Sequence, residues 1–145
     1  MKVRIKRIDN TLPLPKYKTE GAAAFDMYAR ETTTVPALGQ ALVPSNFIIE
    51  TPPSYALLIS ARSSISRYFP GLFLSNAPGI IDSDYCGDTD EIFIAVYNYS
   101  NKDIMINKGE RFAQGRFNKV ETAEWEEVEE MKNKDRSGYG STGVN

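Results

Sequence analysis

The strongest constraint on this chain is how short its apolar runs are and how often proline cuts between them. Such runs recur at Val3–Ile8, Ala22–Tyr28, Ala41–Ile49, Tyr55–Ser60, Leu72–Leu74, Ile92–Tyr97, Ile104–Ile106 and Arg111–Phe117, and Val, Ile, Phe, Tyr and Thr are frequent in them. Pro13, Pro15, Pro36, Pro44, Pro52, Pro53, Pro70 and Pro78 punctuate the chain. Proline has a fixed φ and no N–H to give to a ladder, so it marks strand ends and turns. Short β-favouring runs between frequent turns predict an all-β sandwich or barrel. Ser63–Tyr68 predicts a single helical turn or a short helix. With 145 residues, 41% of them hydrophobic, the chain can build one domain around one core. No internal repeat or second domain is visible.

The sequence contains no histidine. That excludes Ser-His-Asp and Cys-His catalysis and the common His-containing zinc sites. The one cysteine, Cys86, can neither form an internal disulfide nor complete a thiolate zinc site. A catalytic base working near neutral pH is then expected to be a carboxylate, and the metal that suits such a donor set is oxygen-ligated magnesium. The net charge of −2 offers no basic excess for nucleic acid, so a polyanionic ligand must be held by local charge and backbone donors. No apolar run is long enough to span a bilayer, and Met1–Asn10 mixes charged with apolar residues, unlike a signal peptide. A cytoplasmic protein without membrane or nucleic-acid partner is the expectation.

Several segments carry possible chemistry, each with a plainer alternative. Gly138, Gly140 and Gly143 formally match G-x-G-x-x-G, but only two residues follow, so the helix of a dinucleotide fold has no room. The same tail reads either as a loose terminus or as a phosphate clamp. Glycines let N–H groups approach phosphate oxygens, Ser141 and Thr142 add hydroxyls, Arg136 adds a planar charge and Tyr139 a ring. Asn76–Gly87 is the most distinctive stretch. Its Asp82 and Asp84 share a face if extended, and read as a solvated turn or as a base or metal ligand beside Tyr85. Arg62-Ser63-Ser64 reads as a serine N-cap or as an anion site. Asp26 is an unusual charge in a small-residue strand, either facing outward or paired with an arginine. Gln114 taken alone is an ordinary strand residue. Trp125, Val128 and Met131 fit a short acidic helix by spacing, or an extended arm.

Taken together and in order, these segments resemble the five sequence motifs of the trimeric dUTPase (deoxyuridine 5'-triphosphate nucleotidohydrolase) family. Ala22–Ala29 resembles the first, Arg62–Ser64 the second, Asn76–Gly87 the third, Gly109–Gln114 the fourth and Arg136–Gly143 the fifth. The resemblance implies an all-β, jelly-roll-like fold of the β-clip type, in a homotrimer that exchanges C-terminal arms and shares its active sites between subunits. It implies a core with an arm over residues 1–135 and a mobile glycine-rich lid over 136–145. It favours an extended arm for Thr122–Met131. The implied activity is magnesium-assisted hydrolysis of dUTP to dUMP and pyrophosphate, which clears dUTP from the nucleotide pool and supplies dUMP for dTMP synthesis.

Carried over by resemblance, Asp82 is the general base for a water attacking the α-phosphorus. Tyr85 packs under the deoxyribose and leaves no room for a 2′-hydroxyl. Asn76 and the backbone of the hairpin at Ile80, Ile81 and Asp82 bond uracil, with Phe93 lining that pocket. Arg62, Ser63, Ser64 and Gln114 hold phosphates. Arg136 neutralises phosphate charge and Tyr139 stacks on uracil. Gly140 belongs to the substrate-binding set, and Ser141 and Thr142 help hold the outer phosphates. Asp26 orients partners or magnesium-bound waters, while Mg2+ is held mainly by the triphosphate. The chain departs from the family pattern at Asp88-Thr89-Asp90, which lengthens the hairpin, near Tyr68-Phe69, at Ala61, and at Tyr139 in place of phenylalanine. Two rivals remain. Ser63 and Arg67 have the Ser-x-x-x-Arg spacing of dCTP deaminases, but Ala95 stands where that family's catalytic glutamate falls. A non-catalytic dUTP-binding regulator would share the motifs without turnover.

Overall fold

A computed structural model describes residues 1–136. In chain order these form β1 (Ile5–Arg7), β2 (Phe25–Tyr28), β3 (Thr33–Val35), β4 (Gln40–Pro44), β5 (Phe47–Ile49), β6 (Tyr55–Ala61), α1 (Ile65–Tyr68), β7 (Leu72–Leu74), β8 (Gly79–Ile81), β9 (Phe93–Asn98), β10 (Ile104–Ile106) and β11 (Arg111–Lys119). The strands make a four-stranded sheet ordered β2-β11-β6-β8 and a three-stranded sheet ordered β4-β9-β7. Two ribbons, β1-β5 and β10-β3, complete the set. Each pairing is antiparallel. The fold is all-β, as the short runs require. Among the described residues no helix is long and apolar enough to cross a membrane.

Period-two alternation places the core between the sheets. In β9, Ile94, Val96 and Asn98 point inward, while Phe93 stands outward. Phe47, Phe112, Met27, Ile49 and Leu57 are among the largest fully buried side chains. The inward polar residue, Asn98, is satisfied. Its amide nitrogen donates to the carbonyls of Val35 (3.1 Å) and Lys102 (2.8 Å), and its Oδ1 accepts from the Ser100 N–H (2.9 Å) and hydroxyl (2.7 Å). Asn98 thereby fastens the β9–β10 turn to β3.

Where the strands depart from the apolar runs, a side chain explains it. The run Ala41–Ile49 breaks into β4 and β5 at Asn46, whose φ is 74° and whose side chain is fully buried. Its Oδ1 accepts from the Asp9 N–H at 2.6 Å, and its Nδ2 donates to the Asp9 carbonyl at 3.0 Å, so the chain turns there from one sheet to a ribbon. Strands β3 and β8 lie outside the apolar runs because threonines and a glycine weaken their signal. The helical spacing of Trp125, Val128 and Met131 gives no helix. Residues 120–136 hold neither helix nor strand, and Trp125 is 94% exposed, because no second element of this chain packs on the apolar stripe.

Strand β11 carries one irregularity. Its ladder with β2 pairs Arg111 with Tyr28 and then Ala113 with Met27, so Phe112 is an extra residue, a β-bulge. Phe112 and Ala113 both point into the core, and Arg111, Gln114 and Arg116 stand outside. Next to it, Gly115 lies under the Phe25 ring. A Cβ on Gly115 would stand 2.8 Å from two ring carbons of Phe25 and 3.2 Å from Leu57. Phe25 is itself held by Tyr17 and Phe117, at ring distances of 5.6 and 5.9 Å. Gly115→Ala is therefore expected to destabilise the fold by about 1–3 kcal/mol through overpacking, read as a lower urea midpoint at unchanged slope.

Candidate active site

The outer face of the four-stranded sheet carries one cluster of charge. Asp26 on β2 is 7% exposed, a burial that an unpaired carboxylate could not sustain. Arg62, just past β6, donates from Nε to its Oδ1 at 2.9 Å. Arg111 at the start of β11 donates from Nη1 to its Oδ2 at 2.8 Å. Of the alternatives open for Asp26, the arginine partner is the one realised. Arg62 also donates from Nη1 to the Arg111 carbonyl at 2.9 Å, which fixes the guanidinium plane and leaves Nη2 without a bond to the described residues. Two arginines on one carboxylate leave a positive excess of one at this end of the sheet. Gln114 lies level with Asp26 on one side and Ser60 on the other. Its amide nitrogen donates to the Ala61 carbonyl (3.0 Å) and the Ser60 hydroxyl (3.3 Å). A cleft of about 390 Å³ runs beside Gln114, Arg116, Ser60, Leu58 and Pro78, floored by Ala22–Ala24.

Ser63 is exposed and Ser64 half-buried in the turn after Arg62. Ser64 occupies the N-cap position of α1, yet its side chain makes no capping bond. The serine cap reading thus has the position right and the interaction wrong. The Ser64 backbone carbonyl instead accepts from Arg67 and Tyr68.

The second cluster surrounds β8 and the turn after it. Strand β8 pairs with β6 on one edge only, so its other edge leaves peptide groups without a strand partner among the described residues. Asn76 curls over its first residue: a Cβ on Gly79 would stand 3.8 Å from the Asn76 amide nitrogen. Ile80 and Asp82 are exposed and Ile81 half-buried. The expected hairpin is not a ladder-paired one. Strand β8 belongs to the four-stranded sheet and β9 to the three-stranded sheet, so 82–92 is a connection between sheets. Within it, Asp82 and Asp84 sit in a turn, with the Tyr85 N–H donating to the Asp82 carbonyl at 3.4 Å, and they do not share an extended face.

The turn is tied back by Tyr85 and by Glu91, a residue that no sequence motif singles out. Tyr85 donates its hydroxyl to the Glu91 carbonyl at 3.1 Å. The Glu91 carboxylate is buried and accepts from Arg30 Nε (2.8 Å) and Nη2 (3.0 Å) and from the Asn46 N–H (2.8 Å). The hydrogen bond to Glu91 holds the Arg30 guanidinium above its already high ordinary value, so it keeps its charge. A glutamate adjoining a buried apolar run is the signal that sequence offers for it. Arg111 lies within the fourth segment without a role implied by the resemblance, yet it shares Asp26 with Arg62. The Asp88-Thr89-Asp90 stretch is braced at the surface by Lys6, which donates to the Asp88 carbonyl at 2.9 Å, and by the Gly87 N–H bonding Asp90 Oδ2 at 2.7 Å.

One chain does not bring the clusters together. The β6–β8 ladder sets Leu57 beside Ile81, which places Asp82 level with Ala56, six positions below Arg62. At ~3.3 Å per residue that is about 20 Å along the strand. Asp26, Arg62, Ser63, Ser64 and Gln114 gather at one end and Asp82 and Tyr85 lie at the other, while Ile80 and Ile81 run between them on β8 and Asn76, which precedes Gly79, lies toward the first end. Phe93 opens β9 on the outward face, half exposed. Ala95, the position of the deaminase glutamate, is half-buried on β9. Arg136 is exposed. Tyr139, Gly140, Ser141 and Thr142 lie outside the described residues.

The dUTPase family profile matches residues 10–143, running through both clusters. A deoxyuridine 5'-triphosphate nucleotidohydrolase of Dictyoglomus turgidum is 39% identical over 99% of this chain and 99% of its own length. One from Caldanaerobacter subterraneus subsp. tengcongensis is 40% identical over 98% of this chain and 97% of its own. Among solved structures, a Staphylococcus bacteriophage 80alpha dUTPase shares the fold with a TM-score of 0.85 at 22% identity, over 99% of each chain. A dUTPase from Streptococcus mutans superimposes with a TM-score of 0.74 at 29% identity, over 83% of this chain and 98% of its own. Both clusters fall within one profile, and the relatives align from end to end, so this chain belongs to the dUTPase family.

Proposed function

We propose that this chain is a dUTPase in activity as in family, converting dUTP to dUMP and pyrophosphate with Asp82 as general base. The observation that carries the reading is the division of labour across the four-stranded sheet. One end offers a fixed guanidinium and hydroxyls, which suit a polyphosphate. The other offers an exposed carboxylate, a tyrosine and an open strand edge, which suit a nucleoside and a water.

The chemistry follows from those groups. Asp82 takes a proton as water adds to the α-phosphorus, and the bond to the bridging oxygen breaks to release pyrophosphate. Positioned base catalysis supplies roughly 10²–10⁴-fold. Arg62, Ser63, Ser64, Gln114 and Arg136 act on charge that develops on phosphoryl oxygens. Asp26 serves through Arg62 by fixing its plane. Tyr85 lies under the deoxyribose, Asn76 and the free edge at Ile80 and Ile81 read uracil, and Phe93 lines that pocket. Fixed backbone donors and acceptors discriminate strongly, because a base with the opposite pattern leaves them unpaired. Among the described residues no three His, Cys, Asp or Glu side chains converge on one point, and Asp26 is committed to arginines. That donor set fits magnesium carried by the triphosphate oxygens, which supplies charge neutralisation there, and does not fit a protein cage. The tail residues Tyr139, Gly140, Ser141 and Thr142 close over the ligand.

The separation of the clusters further supports a site assembled from several copies, in a homotrimer with exchanged arms. Trp125, Val128 and Met131 are bare on the single chain, and large exposed apolar groups mark a surface that meets a partner. In the cell such an enzyme, working in the cytoplasm, clears dUTP and feeds dTMP synthesis.

Pyrophosphate release from dUTP, with neither pyrophosphate from dTTP nor ammonia from dCTP, is the expected result with purified protein. Asp82→Asn should lower kcat by roughly 10²–10⁴-fold while a non-hydrolysable dUTP analogue still binds in calorimetry; undiminished turnover removes the base assignment. Truncation after Asp135 should leave the mass in light scattering that of three chains and cripple turnover. Normal hydrolysis by the truncated protein removes the lid.

A further inference from the structure

The connection from Asp82 to Asp90 is held by bonds within itself and, at Asp88, by Lys6. The Tyr85, Cys86 and Asp90 N–H groups bond carbonyls at Asp82, Asp84 and Gly87, and the Gly87 N–H bonds Asp90. None of these fixes the Tyr85 ring against the sheets, and the ring is substantially exposed. Its one anchor among the described residues is the hydroxyl bond to the Glu91 carbonyl at 3.1 Å. That carbonyl stands at the first fixed point after the turn. The next residue, Ile92, donates to the Phe47 carbonyl and accepts from the Ser45 N–H, both at 3.0 Å. Glu91 itself is clamped by Arg30 through two hydrogen bonds and by the Asn46 N–H. Arg30 is fixed in turn, its N–H donating to the Pro44 carbonyl at 2.8 Å. A buried ion pair is a weak source of net stability, because desolvation consumes most of the attraction. What this pair does supply is a second hold on Glu91: the Ile92 N–H bond to Phe47 fixes the peptide unit that carries the carbonyl, and the clamped side chain fixes the Cα on its other side.

We propose that Arg30 and Glu91 are positioning residues for sugar selection: their ion pair fixes the carbonyl that holds the Tyr85 hydroxyl, and so sets how closely the ring abuts C2′ of the bound nucleotide. Neither side chain touches the substrate. Loosening the pair lets the ring tilt away and opens space for a 2′-hydroxyl, so a ribonucleotide binds better relative to dUTP. The inference rests on dUTP being the substrate.

The readout is the ratio of the UTP inhibition constant to the dUTP KM. A misfolded fraction changes neither constant, so a merely structural role leaves the ratio where it is. In Glu91→Gln, and in the milder Arg30→Lys, which keeps the charge but not the two-pronged contact, the ratio is expected to fall roughly three- to tenfold, the worth of one hydrogen bond. Tyr85→Phe, which cuts the anchor directly, should give a fall of the same size. In the Tyr85→Phe background, Glu91→Gln or Arg30→Lys should then add nothing. An unchanged ratio in both single variants overturns the proposal, and so does a fall that repeats in full on top of Tyr85→Phe. Arg30→Lys decides the matter if Glu91→Gln does not fold. If the wild-type protein fails to hydrolyse dUTP, the functional reading falls instead.

Discussion

A single buried carboxylate, that of Glu91, joins parts of the molecule that no ladder connects. It accepts from Arg30 after β2 and from Asn46 at the corner between β4 and β5, while its own main chain leads into β9. The four-stranded sheet, the three-stranded sheet and the β1-β5 ribbon therefore meet at one polar node. Asn46 extends the node to Asp9 and Tyr85 extends it to the site. Burial of such a group is tolerable because each of its strong acceptor positions is used by a donor. Its geometry is then as rigid as the sheets it touches, and the turn carrying Asp82 inherits that rigidity at one end.

A second carboxylate plays the matching role at the other end of the sheet. Asp26 is outnumbered by two arginines, so it orders them without cancelling them. Charge that must greet an anion is kept in place by a smaller amount of opposite charge behind it. The two ends differ in kind: one is a rigid cation-rich face and the other a turn with exposed acids. The sheet between them acts as a spacer, which is why neither end is a complete site by itself.

Much of the fold is legible in the sequence. Leu72–Leu74 and Ile104–Ile106 are strands with the bounds their apolar runs suggest, and Arg111–Phe117 extends by only two residues. The misses have physical causes. Strand β8 begins with glycine and β3 with threonines, so neither advertises itself by hydrophobicity. Asn46 does not show itself as a strand breaker, because its reason for turning, the distant Asp9, is set by tertiary structure. The helix spacing at Trp125 misleads because periodicity records which side chains want cover and says nothing of what covers them. In the site, the carboxylate–arginine pairing at Asp26 stands among the open alternatives. Its second arginine and the whole Arg30–Glu91 node do not, since partners 61 residues apart leave no local pattern. The wide connection 82–92 reads as a hairpin in sequence, and only the sheet order reveals that its two ends belong to different sheets.

The extra residue at Phe112 has a consequence for how this strand can change. Side chains along β11 alternate strictly after it, so Gln114 and Arg116 face out only because Ala113 and Gly115 face in. Removing one residue there would invert the whole strand, sending an amide and a guanidinium into the interior and bringing out the glycine that accommodates the Phe25 ring. Chemistry and packing are thus written on the same strand half a period apart, and the bulge is the phase marker that keeps them from trading places. An added residue in a connection such as 88–90, by contrast, shifts no ladder.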